Sequence, residues 1–221
     1  TDMLIVGYAN GLRLSLRGAL GTGTVELPLV GAFNGLNALA ALGVLVLRGE
    51  SVAGALERLA TLSPPPGRME TLRRPGGARV VVDYAHNPQA LSAVLTALRA
   101  HVAPGGRLHC VFGCGGERDR AKRPLMGELA QRLADAVTVT DDNPRGEDAV
   151  VITAQIAAGM RRPVRVIHDR AAAIEDAISR ARDGDVVLVA GKGAEPWQER
   201  AGERVAFSDR AVAAAALGLT A

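Results

Sequence analysis

Four segments of the 221-residue chain hold residue types that could do chemistry. Asp142-Asn143-Pro144-Arg145 is the most specific of them. Pro144 fixes its own φ and holds Asn143 extended, so a rigid turn presents a carboxylate, an amide and a guanidinium together. Arg suits bidentate recognition of a carboxylate or a phosphate; the plainer alternative is an Asx-type turn with a solvated Arg. Gly191-Lys192-Gly193-Ala194-Glu195 sets two glycines where a ligand could approach the backbone, with Glu195 able to accept an ammonium. Its alternative is a flexible loop with solvated charges. Gly113-Cys114-Gly115-Gly116-Glu117-Arg118-Asp119 is a glycine loop that handles ions, and it partly matches the G-x-G-x-x-G dinucleotide fingerprint. The third glycine of that fingerprint falls on Arg118, and the next helix is expected only from residue 124. Asp83-Tyr84-Ala85-His86-Asn87-Pro88 places His86 just ahead of a proline-started helix.

These segments need a scaffold that brings them to one edge, and the surrounding sequence predicts one. Short unbroken apolar runs at 80–82, 108–112, 136–140, 164–168 and 186–190 read as strands. Each is followed by a helical stretch, at 88–101, 124–133, 148–160, 171–182 and 208–217. Strand then helix, five times over, predicts an α/β fold with a mostly parallel, doubly wound, Rossmann-like sheet covered on both faces. Ligands of such sheets bind beyond the carboxyl ends of the strands, where all four segments fall. Ahead of this lies a different region. Residues 11–17 alternate as a half-buried strand, Gly21-Thr22-Gly23 punctuates, and 24–29 read as a second strand. Residues 34–47 form a helix that is apolar nearly all round, hence expected to be buried, and Ser51 caps a helix over 52–62. Ser63-Pro64-Pro65-Pro66-Gly67 is the strongest break and marks a domain boundary.

Composition narrows the function further. Hydrophobic residues make up 48% of the chain, enough for a sizeable core, and disorder is excluded as a global description. Aromatics are only 3%, which argues against a base-stacking nucleic-acid platform. The net charge of +3 is too mild for a phosphate-backbone patch. The longest apolar stretch, 36–47, is too short to span a membrane. Cys110 and Cys114 lack a second ligand pair, so no metal site is expected; two reduced thiols point to the cytoplasm.

Several segments, in order and over nearly the whole chain, resemble one family. They are Gly31-Ala32-Phe33-Asn34-Gly35-Leu36-Asn37, Gly67-Arg68-Met69-Glu70, Lys122-Arg123-Pro124-Leu125-Met126-Gly127 and Ser208-Asp209-Arg210, together with the four segments above. The resemblance is to the Mur ligases, and among them to the members that add diaminopimelate. It implies that residues 1–66 are the tail of a central ATP-binding domain and that residues 67–221 are a C-terminal, amino-acid-binding domain. It implies a ligase of peptidoglycan precursor synthesis that uses ATP and Mg2+. ATP would phosphorylate the glutamate side chain of UDP-N-acetylmuramoyl-L-alanyl-D-glutamate, and the amine of meso-diaminopimelate would attack the acyl phosphate. By the same resemblance Arg118, Asp142, Asn143, Pro144, Arg145, Gly191 and Glu195 line the amino-acid pocket, and Asn34, Asn37, Arg68, Asp83 and His86 face the nucleotide. No residue is assigned to catalysis or to a metal, and the partners are small molecules, not nucleic acid or membrane.

Two departures stand out. Ala194 occupies a position where the family usually has His, and the family's G-x-x-G-K-[ST] phosphate loop is missing from these residues. The chain alone is therefore expected not to catalyse. Two other readings stay open: a nucleotide- or dinucleotide-binding module of another enzyme class, and a non-catalytic interaction domain.

Overall fold

The first secondary structure in the computed structural model, which describes residues 2–8, 11–18 and 21–219, is an antiparallel meander. Strands β1 (Asp2–Tyr8), β2 (Gly11–Gly18) and β3 (Gly21–Leu27) pair in the order β1-β2-β3. Leu12, Leu14 and Leu16 alternate into the core with Val25 and Leu27, as a half-buried sheet requires. Helices α1 (Ala32–Leu47) and α2 (Val52–Leu59) cover that face through Ala38, Leu42, Ala55, Leu56 and Leu59. Ser51 caps α2, its hydroxyl accepting from the Gly54 N–H at 3.1 Å. Three expectations are corrected here. β1 is an additional strand. Gly21-Thr22-Gly23 lies inside β3, paired with Gly18, Arg17 and Leu16, because glycines without side chains hide the period of a strand. And α1 buries one stripe only: Phe33, Leu36, Val44 and Leu47 are exposed.

The second region opens with β4 (Glu70–Arg73), which the sequence pattern did not reveal, and continues through β5 (Arg79–Asp83), α3 (Pro88–Arg99), β6 (Leu108–Phe112), α4 (Lys122–Leu133) and β7 (Ala136–Val139). It is completed by α5 (Ala149–Ala157), β8 (Arg165–Val166), α6 (Arg170–Arg180), β9 (Val186–Ala190), the hairpin β10 (Trp197–Arg200) and β11 (Glu203–Ala206), and α7 (Asp209–Ala216). Six strands form one sheet in the order β4-β5-β9-β6-β7-β8, parallel except for the edge strand β4. Every residue of β5, β6 and β9 is buried, which explains their unbroken apolar runs. Val82, Val111 and Val189 pack with Ile174 and Ala177 of α6 and Ala213 of α7. Asp148, Asp169 and Ser208 cap α5, α6 and α7 with their side-chain oxygens. The sheet is the doubly wound one that the alternation predicts.

The chain forms two compact units: residues 1–64 with 97–101, and residues 65–96 with 102–221. No helix among the described residues is long and apolar enough to cross a membrane.

Candidate functional site

In the second unit, the carboxyl ends of β5, β6, β7 and β9 meet around a cleft of about 440 Å³. It is lined by His86, Arg118, Asp142, Asn143, Arg145, Gly191 and Glu195, with Tyr84, Asp119, Lys122 and the backbone of Gly113, Cys114 and Gly115. Those seven residues come from all four chemistry-bearing segments. Another cleft, of about 460 Å³, borders Gln131, Arg161 and Arg162 and holds none of these segments. There the Gln131 amide is taken up by the 161–162 backbone.

The turn at 142–145 is held from two sides. Arg145 has φ of 53°, a left-handed conformation that a non-glycine residue adopts only when its surroundings impose it. The β10–β11 hairpin imposes it: the Arg145 N–H donates to the Glu199 carbonyl at 3.2 Å, and the Ala201 N–H donates to the Arg145 carbonyl at 2.7 Å. On the other side the Gly116 N–H donates to the Asn143 carbonyl at 2.9 Å, and Arg145 Nη1 donates to the Gly116 carbonyl at 2.8 Å. A Cβ on Gly116 would lie 1.8 Å from the Pro144 carbonyl oxygen. Gly116 is therefore needed for the approach of the protein's own turn and not for a phosphate. α4 opens only at Lys122, so no helix N-terminus follows the loop directly. The dinucleotide alternative loses its structural basis.

Asn143, Lys192 and Glu195 form a closed triangle. Lys192 Nζ, with no exposed surface, donates to Asn143 Oδ1 and to Glu195 Oε2, both at 2.9 Å. Asn143 Nδ2 donates to the same Glu195 oxygen at 2.9 Å, and the Glu199 N–H adds a bond of 3.0 Å to Asn143 Oδ1. Burial pushes the Glu195 carboxyl upward, but the Lys192 and Asn143 hydrogen bonds and the Lys192 and Arg145 charges outweigh it and hold it below its ordinary range. Glu195 is thus not a free anion awaiting an ammonium; Oε2 already serves two donors. Gly191 has φ of 121°, and a Cβ there would meet Asp142 Oδ2 at 2.6 Å, which ties this position to glycine.

Two wholly buried arginines to which the sequence assigns no role brace the rim. Arg123 donates to Glu147 at 3.0 and 3.1 Å, to Gln155 at 2.6 Å and to the Gly115 carbonyl at 3.2 Å. Arg170 reaches Asp209 at 2.7 and 2.8 Å, the Ala190 carbonyl at 3.0 Å and the Asp141 carbonyl at 3.2 Å, so it staples the ends of β9 and β7. The Arg123 hydrogen bonds, then the Glu117 N–H, hold the Glu147 carboxyl down to about 2 against an ordinary 4.5. A carboxyl with a depressed folded-state pKa stabilises fully above its unfolded value and loses that contribution as pH falls toward the folded one. Glu147→Gln is therefore expected to flatten the fall in stability between about pH 4.5 and 2. Urea midpoints at pH 6 and pH 3 check it, and an equal drop in wild type and variant would exclude this role.

The residues expected to face a nucleotide fall in both units. Asn34 and Asn37 lie on α1 in the first unit, where Asn34 Oδ1 accepts from Asn37 Nδ2 at 3.1 Å. Asp83 is buried and outside the cleft lining. Its two oxygens accept the Met69 and Ala85 N–H groups at 2.9 and 2.8 Å, and burial raises its carboxyl. Arg68 stacks 4.7 Å over the Tyr84 ring. His86 Nδ1 donates to the Tyr84 carbonyl at 2.8 Å. Among the described residues no group of three His, Cys, Asp or Glu side chains is placed to hold a metal ion.

Residues 67–193, more than half of the chain, match the family described as Mur ligase, glutamate ligase domain. The chain belongs to the Mur ligase family. Within it, the chain is 45% identical over 218 residues to a Vibrio parahaemolyticus protein named UDP-N-acetylmuramoyl-L-alanyl-D-glutamate--2,6-diaminopimelate ligase, covering 97% of this chain and 44% of that protein. It is 51% identical over 209 residues to the ligase of the same name from Alkalilimnicola ehrlichii, covering 94% and 42%. A solved structure of a ligase with that name superimposes with a TM-score of 0.76 at 39% identity over 98% of this chain and 45% of the other. A folylpolyglutamate synthase from Thermotoga maritima shares the fold, with a TM-score of 0.68 at 24% identity. The chain spans less than half the length of these relatives.

Proposed function

We propose that this chain is the amino-acid-binding part of an ATP-dependent Mur ligase that joins meso-diaminopimelate to UDP-N-acetylmuramoyl-L-alanyl-D-glutamate in peptidoglycan precursor synthesis. The observation that carries this reading is the rigid Asp142–Arg145 turn, which sets a guanidinium in the same cleft as the Lys192-braced Glu195. Meso-diaminopimelate ends in an ammonium and a carboxylate on one carbon; Arg145 suits the carboxylate and the remaining Glu195 oxygen suits the ammonium. Lysine lacks that carboxylate. The names of the relatives support the same substrate.

In this reading residues 67–221 bind the amino acid and residues 1–66 are the end of the ATP-binding domain. Asn34, Asn37, Arg68 and His86 face the nucleotide, while Asp83 shapes the Tyr84–Pro88 loop. ATP and Mg2+ would supply the acyl phosphate. The described residues offer neither a carboxylate cluster for the ion nor a G-x-x-G-K-[ST] loop for the phosphates, so this chain's own part is to seat and orient the attacking amino acid. The setting proposed is the cytoplasm, where the buried Cys110 and Cys114 stay reduced; burial pushes both thiols up to about 12.

Calorimetric titration of the chain with meso-diaminopimelate, L-lysine and NAD tests the reading. Meso-diaminopimelate is expected to bind at least about tenfold more tightly than lysine, the scale of one charge-assisted contact, and NAD is expected to give no heat of binding. Binding of NAD alone, or equal affinity for the two amino acids, would overturn it.

A further inference from the structure

The cleft contains a charge whose place in amino-acid recognition neither the motif pattern nor the family resemblance assigns. The side chains lining it carry three cations, Arg118, Lys122 and Arg145, against three carboxylates, Asp119, Asp142 and Glu195. Behind this balanced lining sits Lys192, with no exposed surface. Its ammonium is 2.9 Å from Glu195 Oε2 and 2.9 Å from Asn143 Oδ1. The ammonium therefore braces Glu195 and Asn143 from the side a ligand cannot reach.

We propose that Lys192 is a specificity-determining positioning residue: by closing the Asn143–Glu195 pair from behind, it makes the cleft favour an amino acid whose distal end is a zwitterion over one that ends in a bare ammonium. This rests on the amino-acid-binding reading above. Two physical effects act in the same direction. Lys192 neutralises Glu195 locally, so an incoming ammonium meets one free oxygen of a compensated carboxylate and not an open anion. A ligand that ends in a bare ammonium has only that weakened contact, whereas the distal carbon of meso-diaminopimelate also brings a carboxylate for Arg145. In a partly desolvated cleft each such charge is felt more strongly than in water. A buried lysine with two acceptors is also geometrically fixed, so Glu195 and Asn143 are held before the ligand arrives.

The test uses calorimetric affinities of the chain for meso-diaminopimelate and L-lysine, in wild type, Lys192→Met, Glu195→Gln and the double variant, with circular dichroism and urea unfolding as folding controls. In Lys192→Met the preference for meso-diaminopimelate over lysine is expected to fall roughly tenfold, as for the loss of one charge contact in such an interface. The fall should come partly from tighter binding of lysine, a gain that mere loosening of the fold cannot produce. In the Glu195→Gln background the same substitution should leave the preference almost unchanged, because Lys192 acts through Glu195. If wild type prefers meso-diaminopimelate and Lys192→Met weakens both ligands by the same factor, or keeps the wild-type ratio, the inference is wrong while the functional reading stands. If wild type shows no preference, or binds neither amino acid, the functional reading fails and this inference fails with it.

Discussion

Arg145→Ala is expected to abolish most of the discrimination between meso-diaminopimelate and lysine. Its guanidinium is aimed before any ligand arrives. Pro144 fixes one side of the turn, the Glu199 and Ala201 backbone groups hold the Arg145 backbone, and the Gly116 carbonyl takes Nη1 at 2.8 Å. Nη2 makes no hydrogen bond among the described residues and is the group left for a ligand carboxylate. A charge-assisted bond of this kind is worth roughly 1.5–3 kcal/mol, or about 10- to 150-fold in affinity. Lysine would leave the guanidinium partly desolvated and without its ligand partner, which widens the gap in wild type. Arg145→Lys should recover little, since an ammonium cannot hold the Gly116 carbonyl and present a planar fork at once. The ratio of the two dissociation constants, in wild type and in both variants, is the measurement. A ratio unchanged on removal of the guanidinium would reduce Arg145 to a strained turn residue and remove the physical basis of the diaminopimelate assignment.

The largest loss of stability is expected from Asp209→Ala. Arg170 and Asp209 are both wholly buried and joined by two hydrogen bonds of 2.7 and 2.8 Å. Removing the carboxylate leaves the guanidinium buried with only the Ala190 and Asp141 carbonyls, and breaking such a pair costs about 3–5 kcal/mol. Replacing both partners by apolar residues, as in Arg170→Met with Asp209→Leu, should cost less than the single change, because no orphaned charge remains. Trp197 is the only tryptophan of the chain and lies in β10, so its fluorescence reports unfolding of the second unit. Guanidinium midpoints of the three proteins decide the matter. A single variant within about 1 kcal/mol of wild type, below the range for a broken buried pair, would mean that water reaches Arg170. Because the pair also ties the ends of β9 and β7, the destabilised variant should lose amino-acid binding as well.

The sequence by itself determined the alternation of the second unit and the edge on which its chemistry gathers. Strands such as Val186–Ala190 are buried on both faces and therefore read as unbroken apolar runs. The residues of the cleft follow directly, since a parallel sheet delivers every strand end to the same rim. What the sequence could not determine lies in short or polar strands and in buried charges. β10 and β11 read Trp-Gln-Glu-Arg and Glu-Arg-Val-Ala, with β11 exposed throughout, so no apolar period marks the hairpin that clamps Arg145. Arg123, Arg170 and Lys192 are residue types normally placed on the surface, and only the tertiary structure supplies the partners that let them be buried: Glu147, Asp209, and Asn143 with Glu195. Most of these partners lie far along the chain, on other elements, and the buried charge of each is tolerable only once the fold has closed around the pair.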